Sequence, residues 1–189
     1  MIDPVAPDPL LRSLHASDDP AYAALWRHGL REHGQYFRSA PEDDALSTIP
    51  TLFAPDSFTL GAFIAGELIG ITSLERERPQ KLRHKALISR MFVRPDAEGS
   101  GVGKLLLREA LVQAEALGDL RQVYLTVLAT NERAQRLYAS LGFRGYAREP
   151  GAVRIGDAYV DEIQMVRFLR RESREAQAAG QAEASIVSR

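Results

Sequence analysis

After Gly103 the apolar residues Leu106, Ala110, Ala114 and Leu117 recur at intervals of three and four, Leu107 and Leu111 widen the stripe, and Gly118 is placed to end it. The pattern predicts an amphipathic helix. Val123 to Leu128 then reads as a buried strand, and Ala134, Leu137, Tyr138 and Leu141 repeat the helical spacing before Gly142. Upstream, Phe58 to Ile64 and Leu68 to Leu74 are short β-prone runs joined by Ala65, Gly66 and Glu67, as in a hairpin. Ala86 to Val93 is a third strand that Pro95 ends, reached through a charged loop from Glu75 to Lys85. Asp18, Asp19 and Pro20 mark a helix entry, followed by Tyr22, Leu25, Trp26 and Leu30 on one face. Residues 39 to 57 read as a long, partly ordered connection with a short helix at Glu42 to Ser47. Phe143 to Arg148 and Ala158 to Phe168 are expected to pair across a turn-rich stretch holding Pro150, Gly151 and Gly156. From Arg170 onward the chain carries few large apolar groups, so a weak helix or frayed tail is expected.

Length and composition narrow the function classes. A chain of 189 residues with 45% hydrophobic and 26% charged residues suits one globular domain. Its 24 basic and 25 acidic residues leave a formal charge of -1, so it has no global electrostatic claim on nucleic acid or on an anionic membrane. Apolar stretches are too short to span a bilayer, and Met1 to Leu10 lacks the basic start of a secretory signal, which makes a cytoplasmic protein the expectation. With no cysteine, thiolate nucleophiles, disulfides and zinc-thiolate sites are excluded. The histidines at 15, 28, 33 and 84 have no metal-ligand spacing, so no metal site is expected.

Chemistry concentrates between the third strand and the next helix, where the chain reads Arg94-Pro95-Asp96-Ala97-Glu98-Gly99-Ser100-Gly101-Val102-Gly103-Lys104. Glycines 99, 101 and 103 permit a tight turn whose N–H groups converge on an anion, and the following helix adds free N–H groups and the positive end of its dipole. A P-loop would need Gly at 98 and Ser or Thr at 105, where Glu98 and Leu105 stand; a dinucleotide fingerprint would need Gly at 104, which is Lys. Asn131 opens the later helix and Tyr138 follows seven residues on, which puts both on one face about 10 Å apart. Taken singly, Asn131 reads as an N-cap and Tyr138 as a core aromatic.

Together these segments, Met91-Phe92-Val93-Arg94-Pro95, the loop Gly99-Ser100-Gly101-Val102-Gly103, and Asn131-x-x-Ala134-x-x-Leu137-Tyr138-x-x-x-Gly142-Phe143, resemble the GCN5-related N-acetyltransferase superfamily. The resemblance is specific from Ala86 to Phe143, with Tyr159-Val160-Asp161-Glu162 to Met165 similar in kind. It implies an α/β fold of the α+β type: one domain over 1–170 with a mixed, mostly antiparallel central sheet of about six to seven strands flanked by about four helices, then a tail over 171–189. It further implies acetyl-CoA as acyl donor, its pyrophosphate held by backbone N–H groups between Glu98 and Lys104, among them those of Gly99, Ser100, Gly101, Val102 and Gly103. Main-chain groups of Met91, Phe92 and Val93 would pair with the pantetheine arm, Asn131 would contact it, and Tyr138 would protonate the departing thiolate. The family usually has Gln or Arg where this chain has Glu98, and a carboxylate pointing at the pyrophosphate would repel it.

Acyl transfer to an amine also needs a proton acceptor, for which Glu75, Glu77, His84, Asp161 and Glu162 stand in or near strand ends; Glu75, just past Leu74, is the first choice. Without cysteine, direct attack in a ternary complex is expected. The run Arg76, Arg78, Lys81, Arg83 and Lys85 lacks the aromatic partners of a nucleic-acid surface and reads as a solvated loop. Lys104, Arg133 and Arg136 could meet the cofactor's ribose phosphate. The leading reading is an N-acetyltransferase acting on a primary amine of a small molecule or peptide, its acceptor set by Trp26 to Phe37 and the loops near Glu75 and Arg148. The alternative is a non-catalytic acyl-CoA-binding module of the same fold. An exposed terminal strand could pair copies of the chain into a homodimer.

Overall fold

The computed structural model describes residues 8–44 and 48–169. In chain order the strands are β1 (Leu10–Ser13), β2 (Phe58–Ile64), β3 (Glu67–Arg76), β4 (Lys85–Val93), β5 (Gln122–Leu128), β6 (Arg144–Ile155) and β7 (Ala158–Phe168). The helices are α1 (Asp19–Glu32), α2 (Val102–Ala116) and α3 (Glu132–Ser140). All strands join one sheet in the order β1-β2-β3-β4-β5-β7-β6, and only β4 and β5 run parallel. Ala65 and Gly66, both at positive φ, form the two-residue turn whose twist suits the β2–β3 hairpin.

The sheet is covered on both faces. On one side α1 sets Tyr22, Leu25, Trp26 and Leu30 against Ile71 of β3 and Phe92 of β4. On the other, Leu106, Leu107, Ala110, Leu111 and Ala114 of α2 are all at most 2% exposed and pack with Leu74, Ile88, Val123 and Leu125 of the sheet. Each buried leucine there contributes about 2 kcal/mol of transfer free energy. Tyr138 and Phe143 seal the same layer from α3 and its exit, their rings 6.1 Å apart.

Three differences from the sequence expectation have physical causes. Leu10–Ser13 carries too short a pattern to declare itself, yet it pairs with β2, with Arg12 stacked 4.1 Å from the Phe63 ring centre and bound to Asp18 at 2.7 Å. There are three α-helices among the described residues rather than about four; of the helix expected at Glu42 to Ser47, residues Pro41–Asp44 form a 3-10 turn and the rest lies outside the described residues, as does the tail after Leu169. Pro150 and Gly151 do not end β6, because the strand bulges between Glu149 and Val153 while the Gly151 N–H donates to Asp161 Oδ1 at 2.8 Å across the ladder.

The charged loop after β3 is fastened from within. The Arg76 guanidinium, 4% exposed, binds Asp56 at 3.1 Å, Asp119 just past α2, and the Arg83 carbonyl at 2.7 Å. Its hydrogen bond to Asp119 holds that carboxyl below the usual range, so the pair stabilises the fold above the carboxyl's unfolded pKa and fades as pH falls through the lower folded value. Asp56→Ala with Asp119→Ala leaves the buried cation only a carbonyl, and urea unfolding at pH 7 is expected to show a loss of about 3 kcal/mol, smaller below pH ~4. A loss under about 0.5 kcal/mol, typical of surface pairs, would contradict this role.

Candidate active site

The site exists because β4 and β5 part company. They pair only from Lys85↔Gln122 to Leu87↔Tyr124, although β4 continues to Val93 and β5 to Leu128. On its other edge β4 carries a bulge: register moves from Ile71↔Phe92 to Ser73↔Ser89, so Arg90 and Met91 both face Thr72, with Arg90 at φ 50. The extra residue bends β4 away from β5 and opens a wedge. The Arg94 N–H donates to Ile69 of β3 at 2.8 Å, so by the alternation of a strand the N–H groups of Met91 and Val93 face the wedge.

A cleft of about 830 Å³ fills this wedge. At one end lies the glycine loop. Gly101 caps α2 in the left-handed conformation at φ 89 and Gly99 stands at φ 81, with open space where a side chain would project. Among the described residues the N–H groups of Gly99, Gly101, Val102, Gly103 and Lys104 donate to no acceptor; the first bond of α2 runs from Leu105 to Gly101. Five converging donors at a helix N-terminus form a cradle for an anion. Glu98, the acid expected to repel such a ligand, is ion-paired with Arg133 of α3. Ser100 lies off the cleft lining, its hydroxyl donating to the Ala97 carbonyl at 2.6 Å. Arg136 pairs with Glu132 at 3.1 Å, and Lys104 lines the cleft.

Midway, α3 supplies Asn131 and Tyr138. Asn131 caps its helix by accepting the Ala134 N–H at 3.0 Å, which orients its amide nitrogen as the remaining donor on the cleft wall. Tyr138 is 7% exposed, and burial pushes its phenol up to about 12. No described residue hydrogen-bonds to its hydroxyl, so the proton it keeps at neutral pH is available to a ligand in the cleft.

The far end has rings on one wall and carboxylates on the sheet. Phe37 packs edge-on to Trp26 at 5.0 Å and to Phe92 at 6.0 Å. Glu75 of β3 accepts the Ser89 hydroxyl of β4, and Glu162 of β7, 1% exposed, pairs with Arg38 at 3.2 Å. Burial pushes the Glu162 carboxyl up, against the pull of Arg38. Among the other expected proton acceptors, Asp161 is held below the usual range by the Gly151 N–H and Arg148, His84 is exposed and off the lining, and Glu77 receives the Tyr124 hydroxyl in a smaller neighbouring cavity. Arg38, Ser89 and the left-handed Arg90, whose guanidinium lies 5.0 Å over Trp26, escape a reading of the sequence, since bulges and loop contacts leave no periodic signal.

The acetyltransferase (GNAT) family model matches residues 17–143, and the chain belongs to that family of acyltransferases. It is 29% identical over 136 residues to phosphinothricin N-acetyltransferase of Alcaligenes faecalis, covering 70% of this chain and 68% of that enzyme. The chain spans about two thirds or less of the curated relatives it matches. A GCN5-related N-acetyltransferase from Kribbella flavida superposes with a TM-score of 0.75 at 30% identity over 86% of this chain and 98% of that one. A phosphinothricin acetyltransferase from Sinorhizobium meliloti, solved in complex with acetyl-CoA, shares the fold with a TM-score of 0.73 at 22% identity, over 86% of this chain and 89% of its own. Among the described residues no helix is long and apolar enough to cross a membrane, and no cluster of three or more His, Cys, Asp or Glu could hold a metal ion.

Because the space around Gly101 is open, a methyl group there costs backbone strain alone. Gly101→Ala should lose about 1–2 kcal/mol in urea unfolding; an unchanged midpoint would mean that the left-handed cap is not required.

Proposed function

We propose that this acyltransferase moves the acetyl group of acetyl-CoA to a primary amine of a small molecule or peptide by direct attack in a ternary complex. Tyr138 acts as the acid and Glu75 as the proton acceptor. The observation that carries the reading is one cleft lined both by a loop with five unpaired amide donors and by the Tyr138 side chain. Bound there, the donor would supply a thioester whose carbonyl carbon accepts the amine nitrogen as its bond to sulfur breaks.

The chain's own groups have matching tasks. The N–H groups of Gly99 and of Gly101 to Lys104 bind the pyrophosphate without needing a side-chain charge. Main-chain groups of Met91 and Val93, with the Asn131 amide, hold the extended arm in the place of a missing strand, whereas those of Phe92, expected to join them, face β3. The Met91 N–H receives the oxygen charge that develops during attack, worth about 3 kcal/mol by comparison with known oxyanion donors. Tyr138 gives its proton to the sulfur. Its raised pKa makes it a weaker acid than a thiol in water, near 8.5, but the same dry surroundings raise the proton affinity of a thiolate beside it. Glu75, positioned by Ser89, takes the amine's proton directly or through one water.

Tyr138→Phe should lower kcat about 100-fold while leaving the Kd for acetyl-CoA within twofold, measured by thiol release and by calorimetry. An unchanged kcat would remove Tyr138 from the proton transfer. Glu98→Gln removes an anion beside the cradle and releases Arg133 toward the phosphates, so acetyl-CoA should bind about fivefold tighter at low salt, equivalent to about 1 kcal/mol. Weaker binding would show instead that the Glu98–Arg133 pair builds the cradle.

A further inference from the structure

Resting on the reading of this cleft as an acyl-transfer site, we propose that Glu162 recognises the acceptor as a cation, and that the acceptor is a primary monoamine carried on an apolar, aromatic body. The ammonium takes the place that Arg38 holds beside the carboxylate, and before its nitrogen attacks the thioester carbonyl it gives one proton to Glu75, directly or through one water.

Glu162 is 1% exposed and lines the cleft, yet among the described residues its Oε2 has no hydrogen-bond partner. Its Oε1 has a single ion-pair contact, 3.2 Å to Arg38 Nε, and that arginine is 62% exposed on the loop after α1. A buried carboxylate has about four acceptor positions, and leaving them unserved in a dry site is costly. The unmet demand is for positive charge with several donors, which an ammonium supplies. Arg38 already has water around it, so its release costs little.

The other neighbours do not meet that demand. Across β6 stands Glu149, which pushes the Glu162 carboxyl further up, and across β5 stands Leu128. Glu75 and Arg90 are further charged groups on the cleft wall; Glu75 is engaged by Ser89, and Arg90 lies over Trp26. The same lining carries a group of rings: Trp26 of α1, Phe37 of the loop after it and Phe92 of β4 pack ring on ring, with His33 6.0 Å from Phe92, beside the polar Gln35 and Ser39. Such a surface suits a flat hydrocarbon body, and the other carboxylate at this end, Glu75, is engaged by Ser89 rather than left with an unpartnered buried oxygen like Glu162, which favours a single ammonium.

The test is calorimetry of three probes against the full chain saturated with coenzyme A: phenethylamine, phenylalanine and 1,4-diaminobutane. Phenethylamine should bind at least tenfold more tightly than the other two. Glu162→Gln should weaken phenethylamine at least tenfold, and in a thiol-release assay raise its KM far more than it lowers kcat. Arg38→Gln, a change at an exposed side chain, should tighten phenethylamine threefold or more, and it decides the matter if Glu162→Gln does not fold. No heat with phenethylamine, a preference for phenylalanine or for the diamine, equal affinity in Glu162→Gln, or weaker binding in Arg38→Gln would overturn the proposal. Thiol release with none of the amines, alongside the expected binding, would instead overturn the acetyl-transfer reading and leave the Glu162 assignment standing.

Discussion

Everything distinctive in this molecule follows from the short parallel pairing of β4 and β5. Three residue pairs hold the two halves of the sheet together, and beyond Leu87 the strands diverge while both continue. A sheet edge normally ends in water or under a helix; here two inner edges face each other across a cleft of about 830 Å³. The bulge that puts Arg90 and Met91 opposite Thr72 is the local cause. It leaves Arg90 and Met91 out of the regular β3 ladder and bends the strand, and the alternation back from Arg94 leaves the Val93 amide toward the gap.

The helices convert that gap into a site. α2 begins just past the end of β4, and its first residues, with the two left-handed glycines before it, line the cleft. α3 returns along the β5 wall and sets Asn131 and Tyr138 on the lining. The core layer beneath α2 and α3 is nearly fully buried, which fixes these donors relative to each other. The acceptor end is built differently, from loop residues after α1 and from carboxylates on β3 and β7, where charge replaces backbone geometry.

How much of this was legible in the sequence tracks the range of the interactions involved. The helix stripe from Leu106 to Leu117 and the β2–β3 hairpin are local patterns, and both stand where they were expected. The glycine loop was readable because left-handed turns demand particular residues. Tyr138 was readable by resemblance, although its own stripe argues for a core role; it is buried in the core layer and also lines the cleft, and its part in proton transfer is the proposal made above. Glu162 could be named but not ranked, since whether a glutamate on a strand is solvated or buried depends on what lies across the sheet. Arg38 and the Arg90 bulge were invisible for the same reason, and β1 became a strand only through its partner β2.

The central claim is that backbone amides, on the splayed strand and at the start of α2, form the donor-binding surface. The most direct measurement is amide-resolved NMR of the labelled protein titrated with coenzyme A. The account predicts that the largest shifts fall on Gly99, Gly101, Val102, Gly103 and Lys104, with Met91 and Val93 following as the arm enters the wedge. Saturating shifts clustered elsewhere on the sheet, with these amides unmoved, would contradict it.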